Sequence, residues 1–218
     1  MNEEMRNNRN IEEAFTLLEL VAIVAVITVL LCVLWPALRS ARARQQRIGC
    51  VSHLKNVGLS ARTFATDNTD KFPSKVSTNK GGCAELVSDP EAVAHYFRSL
   101  SNELSIPFIL VCPADARKAA TDFVSLARTN ISYFVGWDAD ESTPQDLLAG
   151  DRPIGINGQS ITGLLAVGPN ARVAWTKSFH GKDAGNFVLG DGSVQQSTTA
   201  LLVGQIKQTS GTNRLLIP

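Results

Sequence analysis

The sequence predicts an α+β fold: a long N-terminal helix, apolar in front and amphipathic behind, packed on a small antiparallel β-sheet. Three observations predict it. The run from Leu20 to Leu38 holds no charged residue and has the length of a membrane span. Behind it, apolar and small residues recur at three- and four-residue spacing up to "TDNTDKFP". Beyond position 107, short β-rich runs alternate with turn residues.

The elements follow in chain order. From position 15 to 38 a helix is about 36 Å long at roughly 1.5 Å per residue, against a bilayer core of about 30 Å. Pro36 removes one backbone hydrogen bond and should kink the helix locally. In the continuation over 39–66, Ile48, Val51, Leu54, Gly58, Ala61 and Ala65 form one face for the sheet to cover. Asp67, Asn68 and Asp70 favour a turn, and Pro73 prevents helix continuation. A domain over 67–218 follows. Its expected helices are 90–104, with Asp89 as cap and Pro90 in the first turn, and 197–209, capped by Ser197 or Thr198. Strand character marks 107–112, 131–137, 171–178, 186–190 and 193–197.

The 218 residues carry a formal net charge of +1, so no global basic field suggests nucleic-acid binding. Arg39, Arg42, Arg44 and Arg47 read as a collar at lipid headgroups, or as partners for acids of neighbouring subunits. Taken alone, they would place the C-terminal part in the cytoplasm, although long downstream domains translocate largely regardless of charge. No P-loop, G-x-G-x-x-G, nucleophile elbow or H-E-x-x-H occurs. His53, His95 and His180 lack metal-ligand spacing: His53 and His95 read as helix residues, His180 as part of a turn. "WDADESTPQD" offers Asp138, Asp140, Glu141 and Asp146, hard oxygen donors for a calcium ion or a solvated loop without the Gly and closing Glu of an EF-hand. "GDGSV" reads as a hairpin turn. No C-x-x-C pair joins Cys32, Cys50, Cys83 and Cys112.

"AFTLLEL" opening an apolar helix resembles the N-terminus of type IV pilin-like precursors, in particular type II secretion pseudopilins. "GCVSHLKNVGLSARTFATDNTDKFP", "LVCPAD" and "HGKDAGNFVLGDGSVQ" resemble a bacterial pseudopilin-like branch. Ala14 stands where the family usually has Gly, and the leader is acidic where family leaders are usually basic. The resemblance implies a leader over 1–14, cleavage between Ala14 and Phe15 by a prepilin peptidase, and N-methylation of Phe15. It implies a span over 15–38, kinked at Pro36, that packs against other pseudopilin subunits in inner-membrane lipid. Glu19 of one subunit would then meet the Phe15 amine of the next. Some major pseudopilins use a calcium-binding loop, which keeps Asp138, Asp140 and Glu141 in view. Cys50 and Cys112 both lie in the shared motifs. A Cys50–Cys112 bridge, a Cys83–Cys112 bridge and free thiols all stay open.

The function so implied is a filament subunit supporting protein secretion, with a cytoplasmic N-terminus, a periplasmic domain and no catalysis of its own. The alternatives are a non-polymerising, membrane-anchored periplasmic binding module and an anchored enzyme, the latter without a recognisable catalytic constellation.

Overall fold

Helix α1 runs from Leu17 to Asp67 in the computed structural model, which describes residues 16–176, 179–181, 183–209 and 211–218. The leader, Ala14 and Phe15 lie outside the described residues. The chain divides into two units, Met1–Arg42 and Ala43–Pro218.

In the first unit, every residue from Thr16 onward is exposed. The helix is long and apolar enough to cross a membrane, with a mean hydropathy of 3.0 in its best 18-residue window. Thr16 caps it. The Glu19 N–H donates to Thr16 Oγ1 at 3.3 Å, and Glu19 Oε2 accepts from Thr16 N and Oγ1, each at 2.9 Å. This is a reciprocal capping box, which satisfies amides that a helix start leaves without partners. The one other hydroxyl before Pro36, Thr28, bonds the helix's own backbone at Val24 O, 2.7 Å away. Pro36 lies inside the helix, which continues through it.

In the second unit, α1 buries Cys50, Leu54, Val57, Gly58, Ser60, Ala61, Phe64 and Ala65. Ile48, expected on this face, is exposed instead, because the buried stripe begins at Cys50. The stripe covers a six-stranded antiparallel sheet of order β5-β9-β1-β2-β7-β8. These strands are β1 (Tyr133–Gly136), β2 (Leu147–Asp151), β5 (Gly163–Val167), β7 (Ala184–Leu189), β8 (Val194–Thr198) and β9 (Asn213–Ile217). Strand alternation divides the side chains between two cores. Tyr133, Val135, Val188 and Leu216 join α1, whereas Phe134, Phe187, Leu215 and Ile217 point to the opposite face. There they meet Trp175 from a three-stranded sheet, β3 (Ile154–Ile156), β4 (Gln159–Ser160) and β6 (Val173–Trp175), and Leu202 and Ile206 from α4 (Thr199–Gln208).

Two expected elements differ. "PFILVC" forms a 3-10 helix over Pro107–Leu110 instead of a strand, with proline in the first turn. The 90–104 helix is two pieces, α2 (Ala92–Ser99) and α3 (Ser101–Leu104). Asp89 acts just ahead of α2, accepting the Glu91 amide at 2.7 Å.

The "GDGSV" turn docks on α1. A Cβ at Gly58 would lie 2.7 Å from Val188 Cγ2 and 3.3 Å from Gly192 Cα, so helix and turn approach at glycine distance. Gly192 itself has a φ of +77°. Lys55 Nζ donates to Gly192 O at 2.9 Å, and Arg62 Nη1 donates to Asp191 O at 2.9 Å.

Candidate functional site

Four chemistry-bearing side chains meet where α1 crosses the sheet: Cys50 from α1, Cys112 from the segment after the 3-10 helix, Asp151 closing β2, and His180 from the turn between β6 and β7. One ligand atom from each lies within 4.8 Å of the other three. Cys50 Sγ donates to Asp151 Oδ1 at 3.1 Å, Cys112 Sγ and His180 Nε2 are 3.4 Å apart, and His180 Nε2 is 3.5 Å from Asp151 Oδ2. The His180 and Asp151 side chains are 1% and 0% exposed, and both thiols are fully buried.

Local structure fixes each group. Cys50 opens the buried stripe of α1. Asp151 pairs with Tyr133 in the ladder. Its Oδ2 accepts from Asn186 N at 2.8 Å and Nδ2 at 3.1 Å. Arg47 holds Asn186 in turn, its Nε donating to Asn186 Oδ1 at 3.3 Å. The Tyr133 hydroxyl stands 3.5 Å from Cys50 Sγ.

Burial pushes the Asp151 carboxyl up to about 6 and raises the Cys50 thiol well above its usual value. Cys112 is held down to about 5 by the neighbouring Cys50 thiol and by His180, against its own burial. The arrangement is not a nucleophile–base–acid relay. Such a relay places thiol and carboxylate on opposite ring nitrogens, whereas here Cys112 and Asp151 both face Nε2. The atoms converge on a point instead of forming a chain.

The structure gathers Cys50 and Cys112 as free thiols, without a bridge, and Cys83 is a free thiol outside the group. His180 does lie in a turn, but its imidazole enters the core. Asp151 carries no sequence signal of its own: no spacing rule links positions 50, 112, 151 and 180. His53 lies on α1 with Nδ1 3.0 Å from Val111 O, and His95 lies on α2, 3.7 Å from Asp89.

The calcium expectation for Asp138, Asp140 and Glu141 meets a different geometry. Asp138 forms a fork with Arg214, with contacts of 2.6 and 3.0 Å, and accepts the Arg214 amide at 2.9 Å. Asp140 Oδ1 accepts from Ser142 N and Oγ, and Glu141 pairs with Arg62 at 3.1 Å. These carboxylates are directed to separate protein donors.

Burial alone would raise Asp138, but its hydrogen bonds and charge contact with Arg214, helped by Lys75, hold it below the usual carboxylate range. A carboxyl depressed in the folded state stabilises the fold fully above its unfolded value of about 3.9. That contribution disappears as pH falls through the folded value. Asp138→Asn is therefore expected to lower Tm at pH 7 by more than at pH 3, read by circular dichroism in a pH series. An equal loss at both values would contradict the ion-pair account.

Among the collar arginines, Arg39 lies over the Trp35 ring, 5.5 Å from its centroid. Trp and Arg at a span end are common interfacial anchors. Arg47 instead binds Asn186 and Gly185 within the second unit. Compared with protein-family models, curated proteins and solved structures, the chain matches none.

Proposed function

We propose that this chain is a pilin-like assembly subunit, anchored in the inner membrane by α1, with its second unit in the periplasm. A prepilin peptidase would cut between Ala14 and Phe15 and methylate the new terminus. The subunits would then polymerise through their apolar helices into a filament supporting secretion. The observation that carries this reading is a helix uncharged from Leu20 to Leu38 and exposed along that run, with Glu19 at its head. A side-chain surface so apolar needs lipid or other helices. Cleavage would create an ammonium group at the helix start, with a reference pKa of roughly 7.7 to 8.0. An acid near the first turn is its natural partner, both by charge and by the helix dipole.

Mass spectrometry of the mature N-terminus tests processing: the expected species begins with N-methyl-Phe at position 15. An intact Met1, or a cut near Ala43, would overturn it. Orientation is a separate test, because the arginines after the span favour the opposite sense. A reporter active only outside the cytoplasm, fused after Pro218, is expected to be active, and cytoplasmic activity would reject the periplasmic placement. The capping box favours a second reading, in which the helix is a plain anchor for a periplasmic binding module and Glu19 only closes the helix start.

A further inference from the structure

We propose that Cys50, Cys112, Asp151 and His180 form a four-coordinate site for one Zn²⁺ ion, which ties α1 and the 179–181 turn to the sheet. The geometry comes first. Tetrahedral zinc has bonds of about 2.3 Å to sulfur and 2.0–2.2 Å to nitrogen or oxygen, so neighbouring ligand atoms stand about 3.3–3.8 Å apart. Here Cys112 Sγ and His180 Nε2 stand 3.4 Å apart, the Asp151 carboxylate approaches Cys50 through Oδ1 at 3.1 Å and His180 through Oδ2 at 3.5 Å, and one ligand atom from each residue lies within 4.8 Å of the other three. A small adjustment of buried side chains would close the site around an ion. The donor set comes second. Two sulfurs, one imidazole nitrogen and one carboxylate oxygen suit a borderline-soft divalent ion. Calcium and magnesium require oxygen ligands throughout.

The surroundings point the same way. Asn186 orients Asp151 through two hydrogen bonds, and Arg47 orients Asn186. Such outer partners commonly fix the ligands of a metal site. The rival use of the sulfurs is a disulfide. That bond would consume both sulfurs and leave the His180–Asp151 pair beside it, held by Asn186, without drawing the four groups to one point. A bound cation gives all four groups one partner. Because all four positions come from the protein, the role is structural, without an open position for substrate.

The test uses the full chain in detergent micelles, reduced, freed of reductant and loaded with Zn²⁺ or Co²⁺ alone. Expected are one zinc per chain by elemental analysis and a thiolate-to-cobalt charge-transfer band with tetrahedral d–d absorption. Cys50 and Cys112 should react with maleimide only after a chelator is added. His180→Gln and Cys112→Ser should each weaken binding at least about 10-fold, the scale already set by loss of outer partners. Since these substitutions sit in the core, the cobalt spectrum of the unsubstituted chain decides. Substoichiometric zinc, cobalt bound without a thiolate band, or a Cys50–Cys112 disulfide in chain isolated without reductant would each overturn the site.

Discussion

Glu19→Ala is expected to abolish filament assembly while leaving cleavage before Phe15 intact. Two roles compete for this carboxylate. It closes the capping box with Thr16, and in the proposed polymer it would neutralise the terminal amine of a neighbouring subunit. Alanine removes both, so the deciding variant is Glu19→Gln. Glutamine serves at the same capping-box position, because its side-chain oxygen accepts the Thr16 amide equally well. It carries no charge. If the cap is what matters, Glu19→Gln assembles normally. If the ion pair matters, both variants fail. An unpaired charge at mid-bilayer costs about 2.5–3.5 kcal/mol on the insertion scale. At 1.4 kcal/mol per tenfold, this corresponds to a loss of roughly 60- to 300-fold per subunit junction as an upper bound, since the helix start lies nearer the interface. Sheared filaments measured by immunoblot, alongside the mature N-terminus by mass spectrometry, give both readouts. Wild-type filament yield from Glu19→Gln would reject the ion-pair mechanism.

The long helix was legible because its signals are local. The apolar run, the three- and four-residue spacing of Leu54, Gly58, Ala61 and Ala65, and the "TDNTDKFP" stop act within a few turns. The cap went unread, although Thr16-x-x-Glu19 before an apolar run has the capping-box spacing. The unanticipated strands depend on distant partners. "LLAGD" becomes β2 only by pairing with β1 and β7, and "NRLLI" becomes β9 by inserting between β5 and β1. Their own sequences are short, and β2 contains Gly150 and Asp151, which β propensity disfavours. "PFILVC" misled in the opposite direction: its residues favour a strand, but the chain tightens into a 3-10 turn before Ser132 N bonds Leu110 O at 2.9 Å. The buried cluster was half legible. Cys50 and Cys112 stood out as thiols, but the sheet alone brings Asp151 and His180 to them.

Trp137→Ala is expected to destabilise the second unit by about 3–5 kcal/mol, the usual cost of truncating a buried large aromatic. Trp137 directly follows β1 and is 2% exposed. Its ring lies 6.4 Å from Tyr96, which in turn meets Phe97 edge-on at 5.6 Å, so the indole joins α2 to the end of the central strand. Its amide donates to Arg214 O at 2.7 Å, which fixes the backbone and limits how far the site can collapse around a cavity. Limited collapse puts the cost toward the upper end of that range. Against a typical total of about 5–15 kcal/mol, the loss is a large fraction of the fold's stability. Trp137→Phe retains a ring against Tyr96 and should cost less. Val124→Ala, at a position 89% exposed, should stay within about 0.5 kcal/mol and serves as the reference. Denaturant midpoints followed by circular dichroism at equal slope give the comparison. A Trp137→Ala shift no larger than that of Val124→Ala would mean that the indole does not hold α2 against the sheet.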